Sequence, residues 1–220
     1  MIHQIFWAFN DKQLDDIPNF KLNVDETQKF CKVHNYEYKL WHLKDCEKLI
    51  EEDFSDYSQL WKDFRYDIQR CDFIRYCILY KYGGLYLDCD IRPMKNLDSV
   101  FTEPFYFVHW ADDENRKIYN AIMGSSKNQD IFLDIIKECK RSFYDKCKIK
   151  TYDNWKGRFV FQTTGHSMLE RVMKKNKVNK DKYFHNVLYV KNFDKGFDIG
   201  NCDNALFYDA NASVWYDNLI

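Results

Sequence analysis

The chain has 220 residues, 45% hydrophobic and 18% aromatic, with seven glycines and three prolines, enough for one domain (1–220) with a substantial core. Its 33 basic side chains nearly balance 34 acidic ones, leaving a formal net charge of -1, so neither a nucleic-acid partner nor an acidic solvating role is expected. The start "MIHQIFWAFNDKQ" has no signal-peptide pattern, and no stretch approaches the ~20 apolar residues of a membrane span, so a soluble, cytoplasmic chain is expected.

In chain order, "IHQIFW" reads as a first strand, "NFKLNVDETQKFCKVHN" as a helix stopped at Asn35, and "YEYKLW" as a second strand. Residues 44–56 suit a short charged helix. The run "YSQLWKDFRYDIQRCDFIRYCILYKYGG" predicts one long helix, with Leu60, Trp61, Phe64, Ile68, Cys71 and Ile78 at helical spacing and Gly83 or Gly84 as its terminator. Strands "LYLDCDI" and "PFYFVHW" follow, then a helix "DIFLDIIKECKRSFY". Further on come "QTTGHSMLERVMKKN", a short strand "NVLYVK" and a terminal "ALFYDANASVWYDN". Strands alternating with helices predict an α/β fold with a mainly parallel sheet flanked by helices. The eight cysteines form no CxxC pair and several lie in apolar patterns, which predicts reduced, buried thiols in place of a disulfide or zinc framework.

The chemistry centres on "YKYGGLYLDCDIRP", residues 80–93. Strand alternation puts Leu85, Leu87, Cys89 and Ile91 on one face, and Tyr86, Asp88 and Asp90 on the other. Two carboxylates so close repel unless a cation lies between them, and Mg²⁺ or Mn²⁺ with one or two carboxylates and a substrate phosphate meets that need. The end of a strand in an open α/β sheet is where such a ligand binds. A bare Asp-x-Asp is also what a strand-terminating surface loop looks like. Asp72 and Arg75 tip the balance, because they share a face of an otherwise apolar helix, with Tyr76 beside them. Their bland reading is an ion pair on the rim. His3 reads as a core-edge histidine, and "KKNKVNKDK" (174–182) as a solvated face able to meet an anionic acceptor.

The stretch "CDFIRYCILYKYGGLYLDCDIRPMKNLD" (71–98) resembles the signature of the DxD glycosyltransferases of family 32, and the glucosylating domains of large clostridial toxins. Cys71 stands where the family usually has Ser. "IHQIFW", "YEYKLW" and "IYNAIMGSSKN" fit further family segments. The resemblance implies a GT-A fold, a UDP- or GDP-sugar donor, Mn²⁺ or Mg²⁺, and transfer of a hexose with retention to a glycan, protein or lipid hydroxyl. By position it implies that Phe6 and Trp7 line the nucleobase pocket, although a core role suits Trp7 equally. It further implies that Asp72 and Arg75 bind the donor sugar, with Arg75 near the diphosphate. Tyr86 would flank the nucleotide, Asp88 and Asp90 would serve the metal, and Asn120 would lie towards the sugar. At the C-terminus, Ser213 and Trp215 match the toxin pattern of metal-ligating serine and diphosphate-capping tryptophan. Ala210 falls where that pattern has a carboxylate, and Asn211 is the substitute oxygen. "TTGHSML" matches a Thr-Gly-Pro turn with His166 in place of Pro. Two other readings stand beside this one: a haloacid-dehalogenase-like phosphatase using the same aspartates, and a catalytically weak nucleotide-sugar-binding protein.

Overall fold

The computed structural model describes residues 1–7, 12–98, 103–109, 118–149, 155–185, 189–191 and 206–210. Asn211, Ser213, Trp215 and Cys202 lie outside the described residues.

The chain begins with β1 (Ile2–Ile5), crosses through α1 (Pro18–Val33), and returns in β2 (Tyr38–Trp41), parallel to β1. Asn35 ends this crossover with φ 57°, a left-handed backbone that asparagine tolerates better than most residues. After α2 (Leu43–Asp53), α3 (Ser58–Asp63) and α4 (Asp67–Tyr82), strand β3 (Gly84–Leu87) pairs parallel with β1 on its other side. Next come β4 (Ile91–Pro93), β5 (Phe105–His109), β6 (Ile118–Ser125) and α5 (Asp130–Lys146). The remaining elements are α6 (Lys156–Thr163), α7 (His166–Lys175), α8 (Lys180–Tyr183), β7 (Phe184–His185), β8 (Tyr189–Lys191) and β9 (Phe207–Asp209).

The main sheet has the order β2-β1-β3-β6-β5-β7. Within it β6 is antiparallel to both its neighbours, while the other pairings are parallel. The expected mainly parallel α/β sheet is therefore present, with one reversed strand inside it. A smaller sheet, β4-β9-β8, stands beside it. Cys31, Cys46, Cys71, Cys77, Cys89 and Cys139 are buried free thiols, and Cys147 is a half-buried one. Among the described residues, no helix is long and apolar enough to cross a membrane.

Two expected elements are each split. The helix expected over 57–82 breaks at Phe64, whose ψ of 127° leaves the helical region. Side chains from the next turn hold the break open. Gln69 Oε1 accepts the backbone N–H groups of Arg65 (3.1 Å) and Tyr66 (3.3 Å), while Arg70 donates to the carbonyls of Trp61 (3.1 Å) and Phe64 (2.9 Å). These contacts satisfy the backbone groups that a helix interruption leaves unpaired. The strand expected over 85–91 ends at Leu87, turns through 88–90, and resumes as β4 in the smaller sheet. Asp88 and Asp90 therefore do not share a strand face; they lie on a turn.

Glycine is needed where α4 meets β3. Gly83 and Gly84 have φ of 64° and 89°, and a Cβ on Gly84 would meet the Met1 carbonyl oxygen at 2.4 Å. His3 closes the same junction. Trp41 Nε1–H donates to His3 Nδ1 (3.2 Å), which leaves the ring proton on Nε2 to donate to the Gly83 carbonyl (2.9 Å). Burial lowers the His3 pKa to about 4, so the ring is neutral and structural. We expect Gly84→Ala to destabilise the fold by about 2–4 kcal/mol, from left-handed backbone strain and a backbone clash together. Urea denaturation checks this, and an unchanged midpoint would contradict the close approach.

Candidate active site

Helix α4 carries the first half of the site because almost all of its middle is buried. Phe73, Ile74, Tyr76, Cys77, Ile78 and Leu79 are inaccessible, and Asp72 and Arg75 in the same turns are only 3% and 2% exposed. Ionised groups so enclosed require partners. Arg75 Nη2 lies 3.1 Å from Asp72 Oδ1, and Arg75 Nη1 lies 3.0 Å from Asp88 Oδ1. The guanidinium also donates from Nε to the Cys71 carbonyl (3.2 Å) and from Nη1 to the Asn120 carbonyl (2.8 Å). It stacks 4.6 Å above the Tyr86 ring. Of the five N–H donors of an arginine, these contacts leave only one Nη2–H without a partner among the described residues. Arg75 is thus a clamp that holds two carboxylates.

Asp72 accepts two further bonds, from Asn120 Nδ2 to Oδ1 (3.0 Å) and from Thr164 Oγ1 to Oδ2 (2.9 Å). Thr164 is in turn held through its carbonyl by the Tyr76 hydroxyl (2.7 Å). Burial pushes the Asp72 carboxyl up to about 6, with Arg75 and Thr164 pulling the other way, so it is ionised at neutral pH.

The second half of the site is the turn after β3. Asp88 N–H donates to the Ala121 carbonyl (2.9 Å), and Ile91 N–H closes the turn onto the Asp88 carbonyl (3.0 Å). Gln4 Nε2 braces it from β1, donating to the carbonyls of Asp88 (3.2 Å) and Ile91 (3.1 Å). The Tyr86 hydroxyl donates to Asp88 Oδ1 (2.6 Å), the same oxygen that faces Arg75. Burial raises the pKa of Asp88, against the pull of Arg75 and Tyr86. Its Oδ2 has no hydrogen-bond donor among the described residues, and a third of its side chain is exposed. Asp90 is half-buried, and its carbonyl accepts from Ala210 N–H (2.9 Å), which joins the turn to β9.

Asp72, Arg75, Tyr86, Asp88 and Asn120 are therefore brought together, with Asp90 two residues along the turn. Phe6 and Trp7 follow the end of β1, whose Ile5 carbonyl accepts from Cys89 Sγ at 3.1 Å. Both are buried: Phe6 shares a small cluster with Cys89 and meets Phe20 edge-on (6.3 Å), and Trp7 meets Trp61 edge-on (6.3 Å). Ala210 is buried and offers no ligating atom. Among the described residues, no three His, Cys, Asp or Glu side chains are set to hold a metal ion by themselves. Two oxygen-donor carboxylates on one turn, one with an open oxygen, still fit a hard cation that takes its remaining ligands from water and phosphate.

Residue reasoning missed Gln4, Thr164, Tyr119 and Asp209. Asp209 is fully buried and accepts from the Tyr119 hydroxyl (2.7 Å). The Tyr119 pKa is raised first by burial, then by Asp209, Asp90 and Asp88 around it. Gln4, Thr164 and Tyr119 lie inside the segments "IHQIFW", "TTGHSML" and "IYNAIMGSSKN", but nothing in those patterns singles them out as contacts of the site. The ladder pairing Ile91 with Asp209 brings this C-terminal carboxylate to the Asp88–Asp90 turn.

Residues 17–106 match the family described as the glycosyltransferase sugar-binding region containing a DXD motif. The fold is similar to that of PaToxG glycosyltransferase, with a TM-score of 0.54 at 14% identity, covering 80% of this chain and 68% of that one. The fold is thus GT-A-like, as expected, and the resemblance carried by residues 71–98 is borne out. Among sequence relatives, inositol phosphoceramide mannosyltransferase 3 of Schizosaccharomyces pombe is 33% identical over 116 residues, 52% of this chain and 32% of the relative. A mannosyl phosphorylinositol ceramide synthase of Saccharomyces cerevisiae is 30% identical over 147 residues, 66% of this chain and 35% of the relative. A glycosyltransferase of Acanthamoeba polyphaga mimivirus is 30% identical over 141 residues, 62% of this chain and 53% of the relative. The chain matches about a third of the length of the two fungal enzymes.

A carboxyl whose folded pKa is raised makes the folded state bind more protons than the unfolded one, so its share of stability is lost as pH rises through the folded value. From 3.8 to about 6, that share is about 3 kcal/mol. Relative to Asp72→Asn, the native chain should lose about 2 kcal/mol of stability between pH 4 and pH 7. Urea denaturation at both pH values checks this; parallel profiles would show that Asp72 titrates as an ordinary carboxyl.

Proposed function

We propose that residues 1–220 form a single glycosyltransferase domain. It transfers a hexose, mannose foremost, with retention, from a UDP- or GDP-sugar to a hydroxyl of a glycan or lipid acceptor. The observation that carries this reading is the Arg75 guanidinium spanning Asp72 and Asp88, which joins the buried carboxylate of α4 to the Asp-x-Asp turn in one unit. The matched family region supports sugar transfer, and the fungal relatives' names support mannose and a phosphoinositol-ceramide type of acceptor.

In this reading Asp88 and Asp90 hold Mn²⁺ or Mg²⁺, with Asn211 and Ser213 completing the set. That ion, when bound, supplies neutralising charge to the departing diphosphate. Asp72 orients the hydroxyls of the donor sugar, and its negative charge favours positive charge developing at the anomeric carbon. Arg75 keeps Asp72 and Asp88 at fixed separation and offers its remaining Nη2–H towards the donor. Asn120 fixes Asp72 through its amide and Arg75 through its carbonyl. Tyr86 fixes the oxygen of Asp88 that also faces Arg75. Phe6, Trp7 and Trp215 hold the nucleotide.

A second reading, a nucleotide-sugar binder without turnover, is favoured by one observation: Ala210 stands where the toxin pattern has a carboxylate ligand, and its methyl group cannot replace one. Differential scanning fluorimetry with GDP and UDP, with and without Mn²⁺, separates the cases alongside an assay for nucleoside diphosphate released from GDP-mannose and other nucleotide sugars. The transferase reading expects Mn²⁺-dependent stabilisation and diphosphate release. Stabilisation without release favours the binder. Phosphate release from sugar phosphates favours the phosphatase. Asp90→Ala should abolish the Mn²⁺-dependent part while moving the apo melting temperature by no more than about 2–4 °C, because Asp90 is half-buried on a turn. An undiminished Mn²⁺ effect in that variant would remove Asp90 from the ligand set.

A further inference from the structure

The end of the helical layer where α5 stops and α6 starts has a surface that the site does not use. Trp155, the residue before α6, is 62% exposed, and Ile149, just past α5, is 41% exposed. The two ends lie side by side. Phe143 of α5 packs on Phe159 of α6 (5.8 Å between centroids), and Arg65 joins them by donating to the Cys147 carbonyl (2.6 Å) while covering the Phe159 ring (4.8 Å). Around these apolar groups stand cations. Arg158 lies 5.0 Å over the Trp155 ring, Lys156 opens α6, Lys148 follows α5, and Arg65 is exposed. The nearby α5 carboxylate Asp145 is already paired with Arg141 (3.1 Å).

Helix stability does not explain this composition. The N-terminus of a helix favours Ser, Thr, Asp or Asn as its cap and acidic residues in its first turn. Helix α6 has Trp155 as its cap residue with no side-chain cap bond, Lys156 next, and no acidic residue in its first turn. An anion in front of this end would satisfy both the helix dipole and the cations. An extended anionic surface with an apolar layer beneath it would also take the indole and the Ile149 side chain. Tryptophan favours that boundary because it is apolar with one polar edge.

We propose that this face docks the domain onto an anionic membrane surface, with Trp155 and Ile149 entering the headgroup layer and Lys148, Lys156 and Arg158 meeting lipid phosphates. Helix α6 then joins the membrane to the site. It spans about 12 Å at 1.5 Å per residue, and Thr164, immediately after it, bonds Asp72. The inference goes beyond the proposed transfer reaction and does not depend on it.

The test is co-sedimentation of the purified chain with phosphatidylcholine vesicles containing phosphatidylserine, without donor or metal. Binding to the mixed vesicles, little to pure phosphatidylcholine, and release by salt are expected. Each of Lys148→Glu, Lys156→Glu and Arg158→Glu should weaken binding at least about five-fold, the effect of one surface charge near an anionic bilayer. Trp155→Ala should weaken it several-fold while leaving the melting temperature and nucleotide binding unchanged, and Trp155→Phe should retain most of it. Brominated lipid should quench the fluorescence of the native chain more than that of Trp155→Phe. No sedimentation with anionic vesicles at low salt would overturn the proposal. So would equal binding by Trp155→Ala, or a dimer in solution that Trp155→Ala dissociates while vesicles remain unbound.

Discussion

The positive charge of Arg75, enclosed between a carboxylate of its own helix and one from the turn after β3, is the interaction on which the arrangement of this protein depends. It lies in a layer where nearly every neighbour is apolar, so it is neutralised by Asp72 and Asp88 or it destabilises the fold. The raised pKa of Asp72 shows that this pairing does not make the carboxylate cheap to bury. What the cluster provides is position. Its members come from α4, β3 with its turn, β6 and the loop before α7, and each is held by at least one other. A buried polar network with its partners satisfied has one low-energy arrangement, where an apolar replacement has many.

The surrounding fold brings those elements to one place. Gly83 and Gly84 turn the chain from α4 into β3 within two residues, so the helix and the strand that carry the site are adjacent in sequence as well as in space. The reversed strand β6 then lies beside β3 and brings the Asn120 carbonyl and amide to Arg75 and Asp72. The Thr164–Gly165 break between α6 and α7 supplies the last contact, where a hydroxyl can turn inward because the helix has ended.

The legible part of this structure was whatever a local pattern encodes. Helical spacing located the buried face of α4, and a spacing of three placed Asp72 beside Arg75. The alternation of strands and helices gave the α/β class, and Asn35 and the glycine pair marked turns that do carry positive φ. Two inferences failed for one reason. The apolar spacing of 57–82 and the alternation of 85–91 both run across a break, because side chains outside the broken turn, Gln69 and Arg70 after it in one case and Gln4 of β1 in the other, take up the backbone groups exposed there. Asp88 and Asp90 were rightly seen as neighbours, but on a turn and not on a strand face. The contributions of Thr164, Tyr119 and Asp209 were illegible because they depend on contacts 90 residues or so apart along the chain.

The turn itself has a mechanical meaning. Asp88 is anchored to the large sheet through Ala121 and through Tyr86, whereas the backbone of Asp90 is tied to β9 of the small sheet through Ala210. The spacing of the two acidic groups therefore depends on how the small sheet seats against the large one, a seating held by Gln4 on the carbonyls of Asp88 and Ile91 and by the Tyr119 hydroxyl on Asp209. Packing on β9 is in this way linked to the acidic pair through the backbone, by the β4–β9 ladder and the Ala210–Asp90 bond.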